Sequence, residues 1–241
     1  MSAAAARKAE VRAAIAEVRD PEIDETVAAL HFIVAVDVEG DSVAVTLRLP
    51  TFWCPANFVF LMGGDIRAAV LALPWVRQFS FELVDHFAAD EISRGISDGH
   101  SFTQVFPREA ATDLGDLRRS FDKKAFLMRQ AALIDLMRRE GFSDHFLIEA
   151  DIAGFREAAI CKAGELQELV ESYLEKRAEI DLDCADGDRA ITTAEGEAIE
   201  AASLATYLRD ARKVTMNAQS NGEMCRILMA ARHTNAICGG H

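Results

Sequence analysis

The chain has 241 residues, half of them apolar and 27% charged, with 14 Gly and 5 Pro. That composition excludes collagenous, low-complexity and disordered chains, because half-apolar sequence can bury a real core. Acidic residues outnumber basic ones by 39 to 26, for a net charge of −13, and no basic stripe carries interleaved aromatics, which argues against a nucleic-acid partner.

No window reaches the roughly 18 uninterrupted apolar residues that a membrane helix needs. Met1–Lys8 lacks the apolar core of a signal peptide, so a cytoplasmic chain with no membrane partner is expected. The cysteines at 54, 161, 184, 225 and 238 are odd in number and widely spaced, and read as thiols.

From Ala3 to Val18, Val11, Ile15 and Val18 recur at helical spacing, and Asp20-Pro21 ends the helix. Val34, Val36 and Val38 alternate up to Glu39-Gly40-Asp41-Ser42, and Val43, Val45, Leu47 and Leu49 alternate back, which predicts a hairpin with one buried face. An apolar helix follows over about 55–73 with Pro55 at its first position, and Gly63-Gly64 implies close packing there. Phe79, Phe81 and Leu83 alternate in a third strand ending near Asp85.

Residues 86–116 read as a connecting segment with one short helix. Beyond it the signal is helical: a run from Leu117 closed by Gly141, a second over about 164–180, a third capped by Thr192 and reaching Lys213, and a last over about 221–232. The fold expected is α+β: a small α-β-β-α-β sandwich over 1–85, a connection over 86–116, and a mainly helical domain over 117–241.

Cys54 stands in Thr51-Phe52-Trp53-Cys54-Pro55, between strand and helix. If Pro55 opens the helix, unpaired N–H groups and the positive dipole end favour a thiolate, the form that ligates iron or zinc and attacks electrophiles. A small buried hydrophobe is the competing account. Asp20 and Glu22 either orient the cysteine loop or help hold a metal, or simply form a turn; the turn is favoured. His31 either faces the same site or packs at its rim. At the other end, Cys225, His233, Cys238 and His241 have the composition of a Cys₂His₂ metal site, but not the spacing of a closed zinc module. Asp181–Asp188 fails the register of a calcium loop and reads as an acidic turn.

Val18-Arg19-Asp20-Pro21-Glu22-Ile23, Val27-Ala28-Ala29-Leu30, the valine hairpin, Cys54-Pro55 and Leu73-Pro74-Trp75-Val76 together resemble the SufT/PaaD-type iron–sulfur assembly domain over about residues 8–85. The resemblance implies a role in maturation or delivery of iron–sulfur clusters, with Cys54 as the key residue and Asp20 and Glu22 as the acidic turn. Two departures stand out. His31 and Phe32 replace the family's usual Gly and aliphatic residue, and Phe52 and Trp53 replace small residues before the cysteine.

The expectation is therefore a maturation factor that delivers or stabilises a metal centre, a transient iron–sulfur cluster or iron, in a client metalloprotein. Relatives with a helical extension point to a metal-dependent oxygenase as client and to the helical half as a docking module. The alternatives are a thiol-dependent enzyme pairing Cys54 with a histidine of the 86–100 stretch, or a structural subunit without metal chemistry. One thiolate is too few for a cluster, which takes four ligands, so a homodimer, a partner or the C-terminal cysteines would have to supply the rest.

Overall fold

The computed structural model describes residues 3–108, 114–162 and 164–238, with side chains over 4–108, 114–162 and 164–232. The chain divides into two compact units, one of residues 1–118 together with 219–241 and the other of residues 119–218. The fold is α+β, a small sandwich followed by a mainly helical region.

In the first unit α1 (Ala3–Ala16) buries Val11 and Ile15 completely. Trp75 ties it down: its Nε1–H donates to Glu10 at 2.8 Å, and the Arg7 guanidinium lies 4.7 Å over the indole. The hairpin β1 (Ile33–Glu39) and β2 (Ser42–Arg48) turns at Gly40, whose φ of +63° suits a residue without a side chain. Strand β3 (Gln78–Val84) runs parallel to β2, and α2 (Ala56–Leu71) makes the crossover between them. The sheet order is β1-β2-β3, and Val36, Val43, Val45, Leu47, Phe81 and Leu83 point into the core as the alternation requires. His31 has a φ of +58°, a left-handed conformation that explains the glycine of the resembling family; the ring is exposed and Phe32 fills the core in its place.

The segment expected as a connection holds two helices, α3 (Ala89–Asp98) and α4 (Phe102–Val105). Helix α3 packs on β3 and covers its edge: the Ser93 and Ser97 hydroxyls accept the Leu83 and Phe81 backbone N–H groups, each at 2.9 Å. Gly63 lets α3 approach α2, since a methyl group there would meet Ile96 and Phe81.

The second unit contains α5 (Gly115–Arg139, mostly within it), α6 (Asp144–Glu149), α7 (Ile152–Lys162), α8 (Glu165–Glu179) and the first half of α9 (Ala201–Cys238) around a core that includes Phe126, Leu133, Phe155, Tyr173 and Leu204. The cap expected at Thr192 is not formed. Its hydroxyl accepts from the buried Arg177 at 3.0 Å, residues 191–200 form a turn, and one continuous helix replaces the two expected after it.

Candidate functional site

Residues 49–54 follow β2 and residues 85–88 follow β3. Because the strands are parallel and Arg48 pairs with Val84, both segments leave the sheet side by side. The space beyond the carboxyl ends of parallel strands is where such sheets commonly build sites. Here it holds Cys54.

Pro55 caps α2 with φ −58° and ψ 128° instead of opening it, so Cys54 precedes the cap and the sulfur is not within the first turn. The side chain is half-buried. Burial, with Asp20, Cys225 and Glu22 adding to it, pushes the thiol up to about 12. The expectation of a resting thiolate is thereby corrected: desolvation and acidic neighbours outweigh any help from the helix end, and the group is a protonated thiol at neutral pH.

His86 fixes this loop. The ring is buried, and Nδ1 accepts the Ala88 N–H at 3.2 Å, which assigns the proton to Nε2; that N–H donates to the Cys54 carbonyl at 2.7 Å. Burial lowers the histidine pKa, and Arg232 lowers it further, in keeping with the neutral ring this bonding needs. The neighbouring Phe87 N–H donates to the Phe52 carbonyl at 3.2 Å. Both nitrogens of His86 are thus engaged with backbone, and neither serves as a base at the sulfur. Strand pairing was the signal for this contact: a parallel β2–β3 pair places 86 beside 54.

Asp20 forms the turn favoured on sequence grounds. One carboxylate oxygen accepts the Glu22 and Ile23 N–H groups at 2.9 and 3.2 Å, and the backbone closes with Asp20 N–H to the Glu25 carbonyl at 2.8 Å. Burial still pushes this carboxyl up to about 6. Helix α9 joins the same unit from residue 219. Arg226 pairs with Glu25, Gly222 lies close against Glu25, and Arg232 donates to the Leu49 carbonyl at 2.8 Å. This brings Cys225 to the acidic turn. The thiol is pushed up to about 11 by burial and by Asp20, Glu22 and Glu25.

Cys54, Cys225, Asp20 and Glu22 therefore share one electrostatic environment. Thr51 is half-buried in the turn before the cysteine, and His31 makes no hydrogen bond or ion pair with that loop among the described residues. Cys161 is exposed and Cys184 donates to the Leu182 carbonyl, both in the other unit. The side chains of His233 and Cys238, and all of His241, lie outside the described residues. Among the described residues no group of three or more His, Cys, Asp or Glu side chains is placed to hold a metal ion.

Three strands, one pair antiparallel and one parallel, crossed by one helix, with a cysteine beyond the strand ends and an Asp-Pro-Glu turn in its electrostatic environment, make a small α/β domain. Residues 8–81 match the family model described as iron-sulfur cluster assembly protein, so the chain carries a domain of that family over this segment. Asp20, Glu22, His31, Thr51 and Cys54 lie inside the match; His86 and Cys225 lie outside it. No curated protein and no solved structure matches the chain. Among the described residues no helix is long and apolar enough to cross a membrane.

Proposed function

We propose that the protein is a maturation factor that takes up iron or a nascent iron–sulfur cluster as cargo and passes it to a client metalloprotein, with Cys54 as the principal donor. The observation that carries this reading is that two thiols distant in sequence, Cys54 and Cys225, converge on one acidic turn of the domain that matches the family.

Both thiols are protonated in the free protein. Uptake of a ferrous ion breaks the S–H bond, forms an S–Fe bond and releases the proton to solvent, so affinity rises with pH. Asp20 and Glu22 favour the incoming cation even as they hold the thiol pKa up. Two sulfurs are fewer than the four ligands a cluster normally takes. The remaining donors come from the client or from a second copy of the chain, and the incomplete set keeps the cargo labile enough to leave. A metal-dependent oxygenase is the client class suggested by the resemblance, with the helical unit as its docking module.

Anaerobic reconstitution with ferrous iron and sulfide tests the reading. Wild-type protein is expected to develop visible sulfur-to-iron absorption, which Cys54→Ser abolishes and Cys225→Ser reduces. Full absorption in Cys54→Ser would contradict it.

A further inference from the structure

We propose that the face formed by Phe52, Trp53 and Phe87, beside the turn carrying Asp20 and Glu22, docks a cationic segment of a partner protein, one presenting arginine or lysine to the Trp53 ring. The proposal rests on the reading of Cys54 as the transfer site and specifies the chemistry of what meets it.

The three rings are continuous. Phe52 meets Trp53 edge-on at 5.0 Å and Trp53 stacks on Phe87 at 5.6 Å, yet they remain 42%, 74% and 45% exposed. Large aromatics left together in water mark interaction sites more often than single scattered ones do. The patch is also rigid, since the Phe87–Phe52 backbone bond and the His86 clamp hold its two segments together. Little ordering is required when a partner arrives.

Charge selects the partner. The Cys54 thiol, on the residue next to Trp53, lies in the negative field of Asp20 and Glu22. Among the described residues, two nearby arginines are paired with carboxylates, Arg48 with Asp85 at 2.8 Å and Arg226 with Glu25 and Glu223. An acidic partner would be repelled there and a basic one attracted.

The molecule contains its own precedent. Trp75, its other tryptophan, has a guanidinium over its ring, that of Arg7. Among the described residues no cation of this chain stacks on Trp53, which meets Phe87 on one side and is still 74% exposed. An arginine from outside reproduces at Trp53 the contact made internally at Trp75.

The test uses the full-length chain and two fluorescein-labelled peptides of equal length, one of alternating arginine and glycine and one of alternating glutamate and glycine, read by anisotropy. Trp53→Ala and Phe87→Ala alter exposed residues and leave the core intact. Ile160→Ala, at a 73% exposed position of the other unit, serves as control. The arginine peptide is expected to bind wild type, to bind Trp53→Ala about three- to tenfold more weakly, and to bind the control within about twofold of wild type. The glutamate peptide is expected not to bind.

Equal binding of the arginine peptide to wild type and Trp53→Ala would reduce the effect to net charge and overturn the proposal. So would no binding, or equal binding of both peptides. Cys54→Ser is expected to bind the arginine peptide as wild type does, and Trp53→Ala to keep the reconstituted absorption, so failure of docking and failure of the cargo reading are separable.

Discussion

Each nitrogen of His86 holds one backbone group, and the cysteine loop depends on both. His86→Phe fills the space but leaves the Ala88 N–H and the Cys54 carbonyl without these partners, a loss of about 1–3 kcal/mol. Denaturant titration should show that loss, and alkylation of Cys54, followed by peptide mass spectrometry, should quicken while that of exposed Cys161 does not change. His86→Gln restores a donor to the Cys54 carbonyl and should recover part of both; an unaltered Cys54 rate in His86→Phe would refute the clamp. Asp20 supplies a second residue-level prediction. Its folded pKa of about 6 lies above the ordinary 3.8, so its contribution to stability is fully present below 3.8 and is lost as pH rises through 6, on the order of 3 kcal/mol in all. Asp20→Asn keeps an acceptor oxygen for the Glu22 and Ile23 N–H groups and removes the charge. It should be more stable than wild type at neutral pH, lack that part of the pH dependence, and alkylate faster at Cys54 because one of the charges raising the thiol is gone. Denaturation series across the window from 3.8 to 6 read the first two outcomes. Cys54 and the Asp-Pro-Glu turn were legible because each is a local signal. His86 was legible only as one of the histidines of the 86–100 stretch, because its partner is a carbonyl 32 residues away and only the parallel pairing of β2 with β3 brings the two together.

At the scale of elements, adjacent glycines on α2 have opposite tasks. A methyl group at 63 would collide with Ile96 and Phe81, whereas one at 64 meets nothing within 4 Å. Gly63→Ala is therefore expected to destabilise by about 1–3 kcal/mol through overpacking. Gly64→Ala should stabilise by up to about 1 kcal/mol through helix propensity. Thermal melts of the two variants check the pair, and a Gly63→Ala protein as stable as wild type would show that α3 does not press on α2 there. Strand alternation made β1, β2 and β3 readable. Within 86–116 one short helix was expected and two form. Helix α3 could not be placed from the sequence because only Ile92 and Ile96 are large and apolar on its buried face; glycine and two serines complete that face, and the serines bond to β3 instead of filling volume. The Thr192 box misled for a related reason. Its residues match a helix cap locally, but the buried Arg177 takes the hydroxyl, and an antiparallel bridge between Thr192 and Ala198 sets the turn.

At the scale of the molecule, the family match over residues 8–81 covers the loop with Cys54 but neither the histidine that holds it nor the second thiol. Cys225 comes from residues 219–238, which belong with the first unit although a hundred residues of the second unit intervene in sequence. No periodicity within a single helix announces such a return, so the sequence placed Cys225 at a weak terminal metal motif and the fold places it at the acidic turn. The claim on which everything else depends is that Cys54 carries iron on its way to another protein. Transfer from anaerobically loaded protein to an apo-ferredoxin, followed by the acceptor's own spectrum, measures this directly. Wild type should convert the acceptor, Cys225→Ser should do so more slowly, and Cys54→Ser should add nothing to the rate given by iron and sulfide alone. Transfer by Cys54→Ser at the wild-type rate would contradict the account.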